Sequence, residues 1–113
     1  MTSLQSKLRQ LGEAFAELTT HSVHYYRRPT AFPFLIWQES GEGESFHGDN
    51  HKHEQSIAVT VDVFTKTEFD PLLDAVQDTL EELGVPWSLN SVQYDDDINL
   101  IHYEWILEVT AVG

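Results

Sequence analysis

The residues with the most chemistry to offer lie together in Phe46-His47-Gly48-Asp49-Asn50-His51-Lys52-His53-Glu54. His51 and His53 are two positions apart, so an extended backbone aims both imidazoles to one side. His47, Asp49 or Glu54 then offer the remaining ligands of a tetrahedral zinc site. Against that reading, no outer carboxylate pattern is present to orient the imidazoles, and Lys52 puts a cation between them. Ordering so polar a segment around an ion also costs entropy. The expected role is contact with another subunit; no cofactor is expected, and His47, His51 and His53 are the metal candidates.

Other chemical signals fall away on their spacing. Gly41-Glu42-Gly43-Glu44 has the glycines of a phosphate loop but no lysine, and its carboxylates repel phosphate. Asp95-Asp96-Asp97 lacks the spacing, glycine and closing glutamate of a calcium loop and reads as a solvated turn. A carboxylate beside His24 or His102 could in principle move a proton, yet no nucleophile elbow or triad-like order accompanies either histidine. Trp37, Trp87 and Trp105 fall at strand spacing, where tryptophan is usually a core or interface anchor.

Charge narrows the partners. Six basic residues against nineteen acidic ones give a formal net charge of -13, which repels phosphate backbones and anionic lipid heads. The cations are scattered, and Arg27-Arg28 is the one adjacent pair, read as an interface or solvated pair and not as a groove reader. There is no cysteine, so neither a disulfide framework nor thiolate chemistry is available. No export signal is evident, and no apolar run approaches the roughly 20 residues that span a bilayer; no membrane partner is expected.

These residues need a scaffold, and 113 residues with 41% hydrophobic content fit one domain over 1–113. Leu4, Leu8, Leu11, Phe15 and Leu18 recur at steps of four and three, predicting a helix capped by Ser3. A second helix is framed by Asp70 before Pro71, carries Leu72, Leu73, Val76, Leu80 and Leu83, and stops at Gly84 with Pro86 beyond. Pro33 to Gln38 is a short strand candidate. Ser56 to Thr65 is a longer one, alternating Ile57, Val59, Val61 and Val63 on one face with Ala58, Thr60, Asp62 and Phe64 on the other. Ser40 to His53 between them is expected to be a long mobile loop. Trp87 to Tyr94 and Asn99 to Val112 predict a hairpin through Asp95-Asp96-Asp97. In its last strand Ile101, Tyr103, Trp105, Leu107 and Val109 face away from His102, Glu104, Glu108 and Thr110. The expected fold is α+β, order α-β-β-α-β-β. It has a mainly antiparallel sheet of about four strands with both helices on one face, leaving the other face half covered and open to a partner.

The order and spacing of these features resemble the tail-terminator or tail-completion (head-to-tail joining) proteins of long-tailed bacteriophages over nearly the whole chain. The likeness is carried by the amphipathic first helix, Pro33-Phe34-Leu35-Ile36-Trp37-Gln38-Glu39, the loop with Phe46 and Asp49-Asn50, and the strand from Ile57 to Lys66. The helix ending Leu83-Gly84-Val85, and Tyr94 before an acidic turn and the strand with His102-Tyr103, complete it. The resemblance implies a non-enzymatic virion protein, a homo-oligomeric ring (usually a hexamer) that caps the tail tube and ends its polymerisation. Its implied partners are its own copies, the tail tube protein and the head connector or stopper protein, with DNA passing through the lumen unbound. The implied setting is the tail or neck of a virion assembled in the bacterial cytoplasm. Arg27, Arg28, Phe46, Asp49, Asn50, His51 and His53 are the expected interface residues, with the two arginines offsetting repulsion between acidic protomers.

Overall fold

Both helices begin and end where local chemistry dictates. The computed structural model describes residues 3–42 and 54–112. Ser3 holds extended backbone and its hydroxyl accepts the Ser6 amide at 3.1 Å, opening α1 (Leu4–Leu18). Leu8, Leu11 and Phe15 are the buried stripe of that helix, with Leu4 and Leu18 packed at its margins.

The second helix, α2 (Pro71–Leu83), has Asp70 at its cap, with one carboxylate oxygen accepting the Leu72 amide at 2.9 Å. The other accepts the Thr65 hydroxyl at 2.6 Å, tying the helix to the strand before it. At the far end Gly84 takes the left-handed conformation at φ 68 that a side chain disfavours, and Val85 N–H closes back on Leu80 O at 3.1 Å.

The sheet has five strands: β1 (Ser22–His24), β2 (Phe34–Glu42), β3 (Glu54–Thr65), β4 (Trp87–Asp95) and β5 (Leu100–Val112), in the order β1-β2-β3-β5-β4. The expectation of about four antiparallel strands is corrected to five in a mixed sheet, because β1 pairs parallel to β2. Three residues are too few to display an alternation. The strand exists because β2 supplies partners, and Leu35 N–H to His21 O at 2.8 Å and Tyr25 N–H to Trp37 O at 2.9 Å bracket the pairing.

A second correction concerns the expected loop, since Ser40, Gly41 and Glu42 belong to β2. Ser40 is the extra residue of a bulge between Glu39 and Gly41, and its hydroxyl donates to Ala58 O at 3.2 Å. The bulge carries pairing through a glycine- and glutamate-rich stretch that local preference alone assigns to a loop.

Both helices lie on one face. Leu8, Leu11 and Phe15 of α1 and Leu72, Val76 and Leu80 of α2 form one core with Leu35 and Trp37 of β2, Val59, Val61 and Val63 of β3, and Trp105, Leu107 and Val109 of β5. Each large side chain fully withdrawn from water contributes about 1.5–3 kcal/mol. The expected alternation of β3 and β5 is observed, with Val59 opposite Leu107, Val61 opposite Trp105 and Val63 opposite Tyr103. Trp105 meets its one polar need through Nε1–H to Gln77 Oε1 at 3.1 Å on α2. Among the described residues no helix is long and apolar enough to cross a membrane.

Candidate functional site

The sheet face turned away from the helices carries Ala58, Thr60, Asp62 and Phe64 of β3 beside His102, Glu104, Ile106 and Glu108 of β5. Its charged groups are tied to one another. His102 Nε2 lies 2.7 Å from Asp62 Oδ1, and the imidazole stacks on Phe64 at 4.2 Å between centroids. Glu104 accepts from Asn90 Nδ2 at 2.7 Å, and Glu108 accepts from the Ser56 hydroxyl at 2.7 Å. Of the large apolar side chains on this face, Ile106 is exposed, whereas Phe34 and Ile36 near the β1 edge are buried. The face is therefore a half-buried polar network. His102 is held by Asp62 and Phe64 and is not free in solvent, and among the described residues no serine or threonine hydroxyl is bonded to its ring.

Exposed apolar surface is concentrated elsewhere, on the hairpin of β4 and β5. Leu89 is 45%, Val92 53% and Tyr94 59% exposed, and Ile98 in the turn is 52% exposed. Leu89 pairs with Trp105, Val92 with Tyr103 and Tyr94 with Ile101, so all three lie on the face that bears the helices. A bulge between Leu89 and Ser91 is what keeps them together. With strict alternation Leu89 would share a face with Ser91 and Gln93, and the extra residue Asn90 restores Val92 and Tyr94 to its side.

Helix α2 runs beside this strip and contacts it through Trp87 Nε1–H to Glu81 Oε1 at 2.9 Å. Gln77 and Glu81 turn toward the hairpin, Gln77 through its bond to Trp105 of β5 and Glu81 through Trp87 of β4. Beyond them, Phe69 sits just before the α2 cap with φ 57 and 88% exposure, an aromatic side chain held in a disfavoured conformation and offered to water. Asp95, Asp96 and Asp97 close the strip at the turn, each with an oxygen within 4.8 Å of the others'. The Asp97 amide donates to Asp95 Oδ1 at 3.1 Å, so this is a hydrogen-bonded turn, as expected.

The opposite edge of the sheet is built around His24. Its imidazole lies between two rings, 3.8 Å from Trp37 and 3.9 Å from Tyr25, and Nε2 lies 2.5 Å from Glu39 Oε1. Tyr25, at φ 73, donates its hydroxyl to Glu39 Oε2 at 3.2 Å. The negative charge of Glu39, and then its hydrogen bond, raise the Tyr25 pKa above the ordinary value of 10.0. Trp37 is held from the core side by Phe15 at 6.2 Å between centroids and by Gly12, where an added Cβ would come 2.7 Å from Cζ2.

From this anchored stack the chain leads out to Tyr26, 66% exposed, and to Arg27 and Arg28, both exposed. Among the described residues neither guanidinium has a carboxylate partner. The stack was not legible in the sequence, since His24, Tyr25, Trp37 and Glu39 meet only through the parallel β1–β2 pairing.

Phe46, His47, Asp49, Asn50, His51 and His53 lie outside the described residues. A scan against protein-family models and a search of curated proteins return no match to this chain.

Proposed function

We propose that this chain is a structural subunit that assembles with its own copies into a ring and, by its resemblance to tail-terminator proteins, caps the end of a phage tail tube and joins it to the head connector. The observation that carries the reading is the strip Leu89, Val92 and Tyr94, about half exposed on an outermost strand beside a helix, with no covering element among the described residues. Exposed apolar side chains aligned on an edge strand are an aggregation liability unless a partner covers them. The net charge of -13 fits a conduit wall along which DNA slides without sticking.

Light scattering of the purified protein, followed by negative-stain images with and without isolated tail tubes, tests this reading. Mass well above 13.0 kDa, ring-shaped particles and density at the tube end are the expected outcome. A single-chain mass at high concentration together with no binding to tails would overturn it.

A further inference from the structure

We infer that assembly is head to tail: the segment Tyr25-Tyr26-Arg27-Arg28 of one copy docks on the strip between β4 and α2 of the next. This rests on the ring reading and names the two surfaces that form its contact. One surface is apolar with an acidic rim, made by Leu89, Val92 and Tyr94 and closed by Asp96 and Asp97 at the turn. The other is aromatic and basic, with Tyr25 and Tyr26 more than half exposed and followed by two exposed guanidiniums that have no carboxylate partner among the described residues. Apolar strip meets tyrosine, and carboxylate rim meets arginine, the residue types enriched in interface anchors.

Three further observations fix the occupant as a second copy. The two surfaces border β1 and β4, the outer strands of the order β1-β2-β3-β5-β4, so they sit at opposite edges of one sheet. A contact between unlike patches on opposite edges is heterologous and propagates from copy to copy, closing into a ring when the rotation allows.

Charge supplies the second. In a chain with six basic and nineteen acidic residues, the one adjacent cationic pair stands in the aromatic segment, and three aspartates crowd within 4.8 Å at the end of the apolar strip. Each is the complement that the other lacks.

The third is preparation. Trp37, His24 and Tyr25 stack in series and Glu39 binds both His24 and Tyr25, so the root of the presented segment is ordered before docking and less freedom is lost on contact.

Two charge-reversed proteins test the pairing: Arg27→Glu/Arg28→Glu, and Asp96→Lys/Asp97→Lys, which spares the Asp95 carboxylate that holds the turn. Each alone places like charges at the contact and is expected to fall to the single-chain mass in low salt, with unchanged circular dichroism. Mixed one to one they restore opposite charges at every contact, and the assembled mass is expected to return. The single exchanges Arg28→Glu and Asp96→Lys repeat the comparison with less perturbation, and a smaller loss is expected.

If the unaltered protein assembles and either double variant keeps its mass, or the mixture stays dissociated, the head-to-tail pairing is overturned while the ring reading stands. If the unaltered protein is itself a single chain at high concentration and ignores tail tubes, both fall.

Discussion

Strands β3 and β4 are made of similar stuff and meet opposite fates. Val59, Val61 and Val63 of β3 have no exposed surface, while Leu89, Val92 and Tyr94 of β4 stay about half exposed. Both sets face the helices. The difference is position: β3 is the middle strand, roofed by α1 and α2, whereas β4 is the outermost, joined to α2 by the Trp87–Glu81 hydrogen bond near its start. Two helices of 15 and 13 residues roof the centre of this sheet and leave the β4 strip bare. Apolar patterning alone thus does not distinguish a buried central strand from an exposed edge strand; coverage does.

Substitution should separate the two regions clearly. Phe15→Ala empties a wholly buried site beneath the roof and is expected to cost about 3–5 kcal/mol in urea or thermal unfolding. Val92→Ala removes an exposed side chain and is expected to change monomer stability by less than about 0.5 kcal/mol. An equal loss at both positions would show that β4 is as well packed as the centre.

Gly12→Ala probes how tightly the roof fits. The added methyl collides with Trp37, whose ring is backed by His24 and Phe15. Overpacking of this kind costs about 1–3 kcal/mol, against at most about 1 kcal/mol recovered from helix propensity. A net loss is expected, and a gain in melting temperature would show that Trp37 moves freely.

Asp70→Ala removes both the α2 cap and the acceptor of the Thr65 hydroxyl. It is expected to cost about 1–2 kcal/mol, with Asp70→Asn recovering part of it. An unchanged unfolding midpoint would mean that packing alone fixes the start of α2.

The smallest effect concerns the β1 edge. Tyr25 has a raised pKa in the folded state, so its protonated hydroxyl favours the fold below the ordinary tyrosine value, and that contribution is lost as pH rises through the folded pKa. Tyr25 should ionise above the ordinary tyrosine value in an alkaline absorbance titration, and Tyr25→Phe should remove that component. Ionisation of Tyr25 at the ordinary pH would show that Glu39 does not hold it.

Both helices and the alternation of β3 and β5 were legible because their signals are local. Ser3 and Asp70 cap their own helices, Gly84 supplies a left-handed stop, and valines at every second position line one face of β3. The expectation of a half-covered sheet holds, yet it pointed to the polar face, where the structure ties up Asp62, Glu104 and Glu108 in hydrogen bonds and leaves little apolar surface. The exposed strip on β4 was hidden because strict alternation separates Leu89 from Val92 and Tyr94, and only the bulge between Leu89 and Ser91 puts the three on one face.

The amino-acid order by itself determined where helices begin and end, which strand faces are apolar, and a charge that repels nucleic acid. Tertiary structure alone decided that three residues after α1 become a strand, that His24 is clasped between Trp37 and Tyr25, and that the apolar side of β4 is left uncovered. Caps and periodicity act within a turn or two of chain, whereas edge position, stacking and coverage depend on segments that are distant in sequence and meet only when the sheet is assembled.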